Sequence, residues 1–350
     1  MADIRLFEQK DLPEVIRLWN ESVKTHEVVY RPITAEYFHE KFEMDPNYDP
    51  QYSFVAVEDG KVVGFINGVT KKVFLGGESA QNTPGFLTCV FVALDYRGRG
   101  IGRALVERLG EAFRTNGKTV YTCNGNNPIN IDWIIPGTPG HDHNNAPGMD
   151  EGCAGYGFLK SLGFETKYRE IAMYLNLADY TPWEGLKDRQ EELAAQGIYT
   201  GRYDPEWDYD YDRMADRGDF EYWRSVLQTE IACHKEGKPC TDIRFIPNGK
   251  VPQGPRPMIV AAHDGHIVAF TGPVDKQDSG RGWFSGICTD PEYERRGIAS
   301  VIFNLLMQEF VKNGSQFSTL FTGDDNHAQK IYKRAGFRVA RRFCIMSKDL

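Results

Sequence analysis

YRGRGIGRALVERLGEAFRTNG, from Tyr96 to Gly117, returns as YERRGIASVIFNLLMQEFVKNG from Tyr293 to Gly314. Each copy opens on an Arg- and Gly-containing turn and continues into a run whose apolar residues fall four apart. These are Ile101, Leu105, Leu109 and Phe113 in the first and Ile298, Ile302, Leu306 and Phe310 in the second. Such spacing is the buried stripe of an amphipathic helix. Gly117 and Gly314 stand where that helix would end in left-handed backbone, and the β-rich runs TVYTC and QFSTL follow. Gly100 and Gly297 are 197 positions apart, so the chain is read first as a repeat.

Two further blocks match in the same order on either side. VAVEDGKVVGF, Val55 to Phe65, aligns without gaps to VAAHDGHIVAF, Val260 to Phe270, with Asp-Gly between two β-rich runs in each. Asp and Gly tolerate the positive φ of a type I′ turn, so each block predicts a hairpin. FLKSLGF, Phe158 to Phe164, matches IYKRAGF, Ile331 to Phe337, as the end of a helix and the start of a closing strand. Gly163 and Gly336 are only 173 positions apart, so the first copy carries 24 extra residues, around NGNNPINIDWIIPGTPGHDHNNAPGMDEG. This stretch reads as a long loop, with the insertion at 126–150. Trp133, Ile134 and Ile135 within it predict a loop packed against the chain. The boundary is expected at Ala178 to Pro182, giving domains 1–178 and 179–350. Each reads as strand, two helices, three strands, helix, strand, helix and closing strands. That order predicts tandem α/β domains, each a mixed, mostly antiparallel sheet with helices on both faces.

Bulk composition excludes several classes. At 350 residues with 41% hydrophobic content the chain can furnish two cores. A formal net charge of -8 argues against a nucleic-acid footprint, which needs clustered Lys and Arg. The N-terminus lacks a basic start followed by an apolar core, and no run approaches a membrane span, so no membrane partner is expected. Seven scattered cysteines without a Cys-x-x-Cys pair fit a reduced, cytoplasmic compartment and small apolar roles in strands.

The chemistry is sought in the turn. Arg97-Gly98-Arg99-Gly100-Ile101-Gly102 follows an apolar strand and leads directly into a helix. Glycines at a helix N-terminus let several backbone N–H groups converge where the dipole favours negative charge, and Arg97, Arg99 and Arg103 add to the field. The spacing is neither a P-loop nor G-x-G-x-x-G, which leaves a pyrophosphate of another kind as the natural guest.

This strand, turn and helix resemble the R/Q-x-x-G-x-G/A motif of the GNAT superfamily of N-acetyltransferases. The resemblance implies acetyl-CoA as acyl donor, its pyrophosphate held by Arg97, Gly98, Arg99, Gly100 and Gly102 and its pantetheine paired with the preceding strand at Val90 and Val92. In the second copy it implies Ile287 and Thr289 on the strand, and Arg295, Arg296, Gly297, Ile298, Ala299 and Ser300 in the turn. Glu294 stands there where the motif has Arg or Gln. The superfamily's next motif is matched by Asn326, Ala328, Tyr332 and Gly336-Phe337. It implies cofactor contact by Asn326, proton donation to the leaving thiolate by Tyr332, and oxyanion stabilisation by strand N–H groups near Cys288. The alternative reading of Tyr332, an aromatic packing under the sheet, is the one the surrounding motif weighs against. The first copy has Cys153 and Leu159 at the Asn and Tyr positions, and leucine cannot donate a proton.

The implied activity is therefore transfer of an acetyl group from acetyl-CoA to a primary amine of a small molecule or peptide, with the second copy as catalyst. An acyl-CoA sensor without turnover, and catalysis by the first copy with residues of its insertion, are the alternatives. His141-Asp142-His143 offers two metal ligands but no third at a recognised spacing, so no metal is expected. DPEWDYDYD, Asp204 to Asp212, reads either as a receptor for a cationic amine or as a solvated linker face.

Overall fold

The computed structural model describes residues 2–25, 29–74, 77–209, 220–241 and 252–350. They divide into two compact units, unit 1 comprising Met1–Ala172 with Ala340–Leu350 and unit 2 comprising Met173–Val339.

Unit 1 contains β1 (Asp3–Leu6), α1 (Leu12–Lys24), α2 (Ala35–Phe38), β2 (Ser53–Glu58), β3 (Lys61–Thr70), β4 (Gly85–Val92), α3 (Ile101–Thr115) and β5 (Val120–Cys123). Two short hairpin strands, β6 (Trp133–Ile134) and β7 (Asp142–His143), precede β8 (Met149–Asp150), α4 (Ala154–Ser161) and β9 (Glu165–Asn176), the last of which runs on into unit 2. Strands β1 to β4 pair antiparallel in chain order, and β4 pairs parallel with β5. The predicted type I′ turn is present, with Asp59 at φ 51° and Gly60 at φ 75°.

Alternation along these strands sends neighbours to opposite faces. Val55 and Phe65 join Val15, Leu18 and Trp19 of α1 on one face. Phe54, Ala56 and Ile66 join Leu105, Leu109 and Phe113 of α3 on the other. Helices therefore cover both faces of the sheet. Gly85 is required by this packing, because a Cβ there would lie 2.5 Å from the Phe113 ring.

Unit 2 contains α5 (Leu186–Ala195), β10 (Tyr199–Arg202), α6 (Phe220–Lys235), β11 (Ile259–His263), β12 (His266–Gly272), β13 (Asp275–Lys276), β14 (Arg281–Trp283) and β15 (Gly286–Thr289). Then come α7 (Ile298–Lys312), β16 (Phe317–Gly323), α8 (Gln329–Arg334) and β17 (Arg338–Asp349), of which only the start lies in unit 2. Strands β10, β11, β12 and β15 pair antiparallel in that order, and β14 pairs parallel with β16. The repeat is visible in detail. Asp264 and Gly265 repeat the positive-φ turn, and Gly282 would place a Cβ 2.7 Å from Phe310, as Gly85 does with Phe113. Val260 and Phe270, matching Val55 and Phe65, pack with Leu227 and Ile231 of α6.

The division falls at 172/173 where 178/179 was expected, and it differs in a second respect that repetition cannot show. Residues 340–350, at the end of the second copy, belong with unit 1. There β17 pairs antiparallel with β5, Met346 opposite Cys123 and Asp349 opposite Val120, and also with β8. Phe343, Cys344, Ile345 and Met346 are all buried. The 126–150 insertion is ordered against unit 1 as expected. Ile129 and Ile131 enter its core, Trp133 is fully buried, and the Trp133 indole N–H donates to the Asn145 carbonyl at 2.7 Å. Among the described residues no helix is long and apolar enough to cross a membrane.

Candidate active site

β4 stays with β5 for only two residue pairs, Gly85 with Tyr121 and Phe86 with Thr122. Beyond Phe86, among the described residues, no strand pairs with it on that side; the Asn127 side chain donates to the Leu87 carbonyl at 3.2 Å, and the stretch from Leu87 to Val92 borders a cavity of about 400 Å³ built wholly from unit 1. Val90 and Val92, expected on this strand, both line it.

At one end of the cavity lies the glycine turn. Gly98 and Gly100 have φ of 74° and 81°, and a Cβ on either would meet nothing within 4 Å. The turn therefore opens onto free space, and the first N–H groups of α3 lack intrahelical partners by position. The neighbouring arginines are partly engaged. Arg97 Nε donates to the Val92 carbonyl at 3.1 Å, while Arg99 pairs with Glu58 and lies over the Tyr96 ring at 5.0 Å. Gly102 is small for another reason, since a Cβ there would lie 3.0 Å from the Phe158 ring of α4. The second copy has Ala299 and Ile331 at these two positions, a larger residue matched by a smaller one.

At the other end the walls are Tyr30, Cys89, Cys123, Cys153, Asp150 and Phe343. Cys153 caps α4, and burial raises its thiol above the ordinary range while the N–H groups of Tyr156 and Gly155 oppose that shift. Burial likewise pushes Cys123 up to about 12 and raises Cys89. The Asp150 carboxylate accepts two hydrogen bonds from Arg341, at 2.8 and 2.7 Å, and one from the Gly152 N–H at 2.8 Å. Tyr30, held well above 10 by burial, remains a neutral phenol. Leu159, at the motif's Tyr position, is fully buried in the core and does not line the cavity.

The matched turn in unit 2 has the same backbone and a different cover. Gly297 has φ 83°, and Arg295 adopts φ 60° where unit 1 has Gly98. A Cβ on Gly297 would lie 3.3 Å from Cδ and Nε of Arg189, so the Arg189 side chain lies across the turn. Arg296 sits over Tyr293 at 4.9 Å, as Arg99 sits over Tyr96. Ile298 and Ser300 are buried in α7, and Ile287 and Thr289 are half-buried on β15. Asn326 has a local role, its side-chain oxygen accepting the Ala328 N–H at 2.8 Å. Tyr332 is 7% exposed, its ring 5.1 Å from Phe303 and 6.4 Å from Phe337, and burial pushes its phenol up to about 12. It does not line the unit 1 cavity.

The remaining sequence candidates have local partners. Asp142 accepts from Arg31 at 3.1 Å, and the His143 ring stacks on Trp133. Trp207 and Tyr209 stack on each other and pack on the unit 2 core, and Asp208 pairs with Lys235 at 3.7 Å. Asp210 to Asp212 lie outside the described residues. Sequence reasoning missed Tyr30, which belongs to no motif, and the wall contributed by Phe343 from the end of the chain.

Two copies of a sheet whose strands part beside a glycine turn, each turn heading the main helix, define a tandem acyltransferase architecture. Residues 16–133 and 223–337 match the model of the Acetyltransferase (GNAT) family, and the chain belongs to that family; it is an N-acetyltransferase. An acetyltransferase of Yersinia pestis is 32% identical over 115 residues, covering 33% of this chain and 70% of the relative. One from Yersinia enterocolitica is 31% identical over the same length. Among solved structures, a glucosamine N-acetyltransferase region of a fungal multi-domain β-N-acetylglucosaminidase superposes with TM-score 0.62 at 18% identity, over 99% of this chain and 38% of that one. A tandem GNAT protein from the clavulanic acid biosynthesis pathway gives TM-score 0.52 at 14% identity, over 100% and 98%. At such identities the structural likenesses speak for the fold alone.

Proposed function

We propose that this enzyme takes an acetyl group from acetyl-CoA, holds the donor in the unit 1 cavity, and transfers the acetyl group directly to a primary amine of a small molecule or peptide in the cytoplasm. The observation that carries this reading is the continuous cavity from the open Gly98–Gly102 turn, along the part of β4 that has left β5, to Tyr30. Backbone N–H groups at the head of α3 suit a pyrophosphate. The stretch of β4 between Leu87 and Val92, where no described strand pairs with it on the cavity side, suits the amide-bearing pantetheine arm, which can pair as an added strand. N–H groups on the same stretch suit a developing oxyanion. Phe91, Phe158 and Phe343 give the same cavity apolar surface beside its polar groups.

Unit 2 supports a second reading, because Asn326 and Tyr332 complete the family motif there. Against it stand Arg189 across the turn and the aromatic packing of Tyr332. Calorimetric titration with acetyl-CoA, and thiol release over a panel of primary amines, separate the two. Gly100→Asp adds charge and bulk where phosphate is placed, and is expected to abolish high-affinity binding and turnover. Retained activity in Gly100→Asp, with a loss of 10²- to 10⁴-fold in Tyr332→Phe, would move the chemistry to unit 2.

A further inference from the structure

The first copy lacks the motif tyrosine, and the cavity that suits the donor lies in that copy. A proton donor is still required, because an amine attacking a thioester expels a thiolate. The inner walls carry several candidates, most already engaged. Ser22 donates to the Leu18 carbonyl at 3.0 Å, Ser161 donates to Phe158, Asp150 is locked to Arg341, and Cys153 contacts both the α4 N–H groups and the Met149 sulfur at 3.5 Å. Tyr30 is different. Among the described residues its hydroxyl makes no hydrogen bond, and it faces two spaces at once. One is the large cavity. The other is a smaller polar space of about 40 Å³ that shares the walls Leu87, Thr88 and Cys123 and adds Asn124 and Asn130.

Its position is fixed from behind. The ring lies 5.4 Å from Trp19 and 6.3 Å from Phe91. The backbone bridges antiparallel to Trp133, with the Ile134 N–H donating to Val29 at 2.7 Å and the Arg31 N–H to Asp132 at 3.4 Å. The Trp19 indole N–H donates to the Arg31 carbonyl at 3.0 Å, and the Arg31 side chain reaches Asp142. The insertion found only in the first copy is thus a strut behind Tyr30. The copy without the motif tyrosine is the one in which an inserted segment positions another phenol at the cavity.

Resting on the assignment of the donor to unit 1, we propose that Tyr30 is the catalytic acid of this enzyme, placed by the 126–150 insertion at the junction of the donor cavity and the polar space that receives the amine. The acceptor nitrogen forms a bond to the acetyl carbonyl carbon as the carbon–sulfur bond breaks and its electron pair passes to sulfur. The Tyr30 phenol gives its proton to that sulfur, releasing free thiol. The proton lost by the acceptor nitrogen restores the phenol, so amine and thioester become amide and thiol with nothing left over.

The test uses the full chain. Tyr30→Phe keeps the ring and its packing, so thermal unfolding should be nearly unchanged. With the most reactive amine of the panel, kcat should fall by roughly 10²-fold or more while acetyl-CoA affinity holds. An acceptor-independent measurement accompanies it. In protein labelled with ¹³C at tyrosine Cζ, the resonance absent from Tyr30→Phe should shift on adding coenzyme A and stay in place with its desulfo analogue. Full turnover in Tyr30→Phe, or an equal shift with both ligands, overturns the role of Tyr30 while leaving the donor in unit 1. Binding and turnover that survive Gly100→Asp remove the site assignment and this inference together.

Discussion

Met346 lies in the last strand of the second copy, yet its side chain is fully buried in the unit 1 core beside Leu105, Leu109, Tyr121 and Leu159. Met346→Ala removes three heavy atoms from a closed site, which costs about 2–5 kcal/mol depending on how far the neighbours relax. For a unit of this size each kcal/mol lowers the midpoint by about 2–4 °C, so a loss of 3 kcal/mol predicts a fall of about 6–12 °C. The location of the effect is the sharper test. Hydrogen exchange should quicken in β5, whose Thr122 hydroxyl donates to the Met346 carbonyl at 2.9 Å, and in α3 and β2. Helix α7 and strands β11 and β12 should keep their protection. Acetyl-CoA binding should weaken as well, since Phe343 of the same strand lines the cavity. Exchange quickening confined to 173–339, with binding intact, would refute the assignment of 340–350 to unit 1.

Further outcomes follow from backbone strain and from charge. Gly98 and Arg295 hold matched left-handed conformations, a geometry that costs a residue with a Cβ about 1–2 kcal/mol. Gly98→Ala should therefore destabilise by about that amount, whereas Arg295→Gly should be neutral or stabilising by up to about 1 kcal/mol, the greater entropy of unfolded glycine offsetting part of the relief. Chemical denaturation of both variants checks the pair, and a loss above 1 kcal/mol in Arg295→Gly would contradict it. The Arg5 guanidinium, bonded to the Asp11 carboxylate at 2.7 and 2.8 Å, holds Asp11 below the usual carboxylate range. A folded value below the unfolded one means the contribution is present above about pH 4 and is lost as pH falls through the folded value. Asp11→Asn should thus cost about 1–3 kcal/mol at pH 7 and progressively less below pH 4, as measured by urea unfolding across that range.

The sequence exposed what depends on local backbone chemistry. Asp59-Gly60 and Asp264-Gly265 form the predicted turns because few residues tolerate positive φ in succession, and Gly100 and Gly297 start their helices for the same reason. The stripe Ile101, Leu105, Leu109 and Phe113 was readable because a helix buries one face. Tyr30 was not readable, because what makes it special is a hydroxyl without a hydrogen bond among the described residues and the approach of a segment a hundred residues away. The destination of 340–350 was hidden for a related reason. The apolar run Phe343 to Met346 in RVARRFCIMSKD marks a strand buried on both faces, while the choice of core is a tertiary matter.

The two copies have diverged in opposite directions from one plan. Unit 1 keeps glycine at both left-handed positions of the turn and leaves the space above them open, but its third block places Leu159 in the core. Unit 2 keeps the Asn and Tyr of the third block, but fills one left-handed position with Arg295 and covers the turn with Arg189. Removing the methylenes and charge over Gly297 therefore discriminates between loss and concealment of a second donor site. If the backbone cradle there is still competent, Arg189→Ala should raise the calorimetric stoichiometry of acetyl-CoA from one towards two per chain. An unchanged stoichiometry would place the defect in the strand and third block of unit 2, leaving Arg189 a bystander.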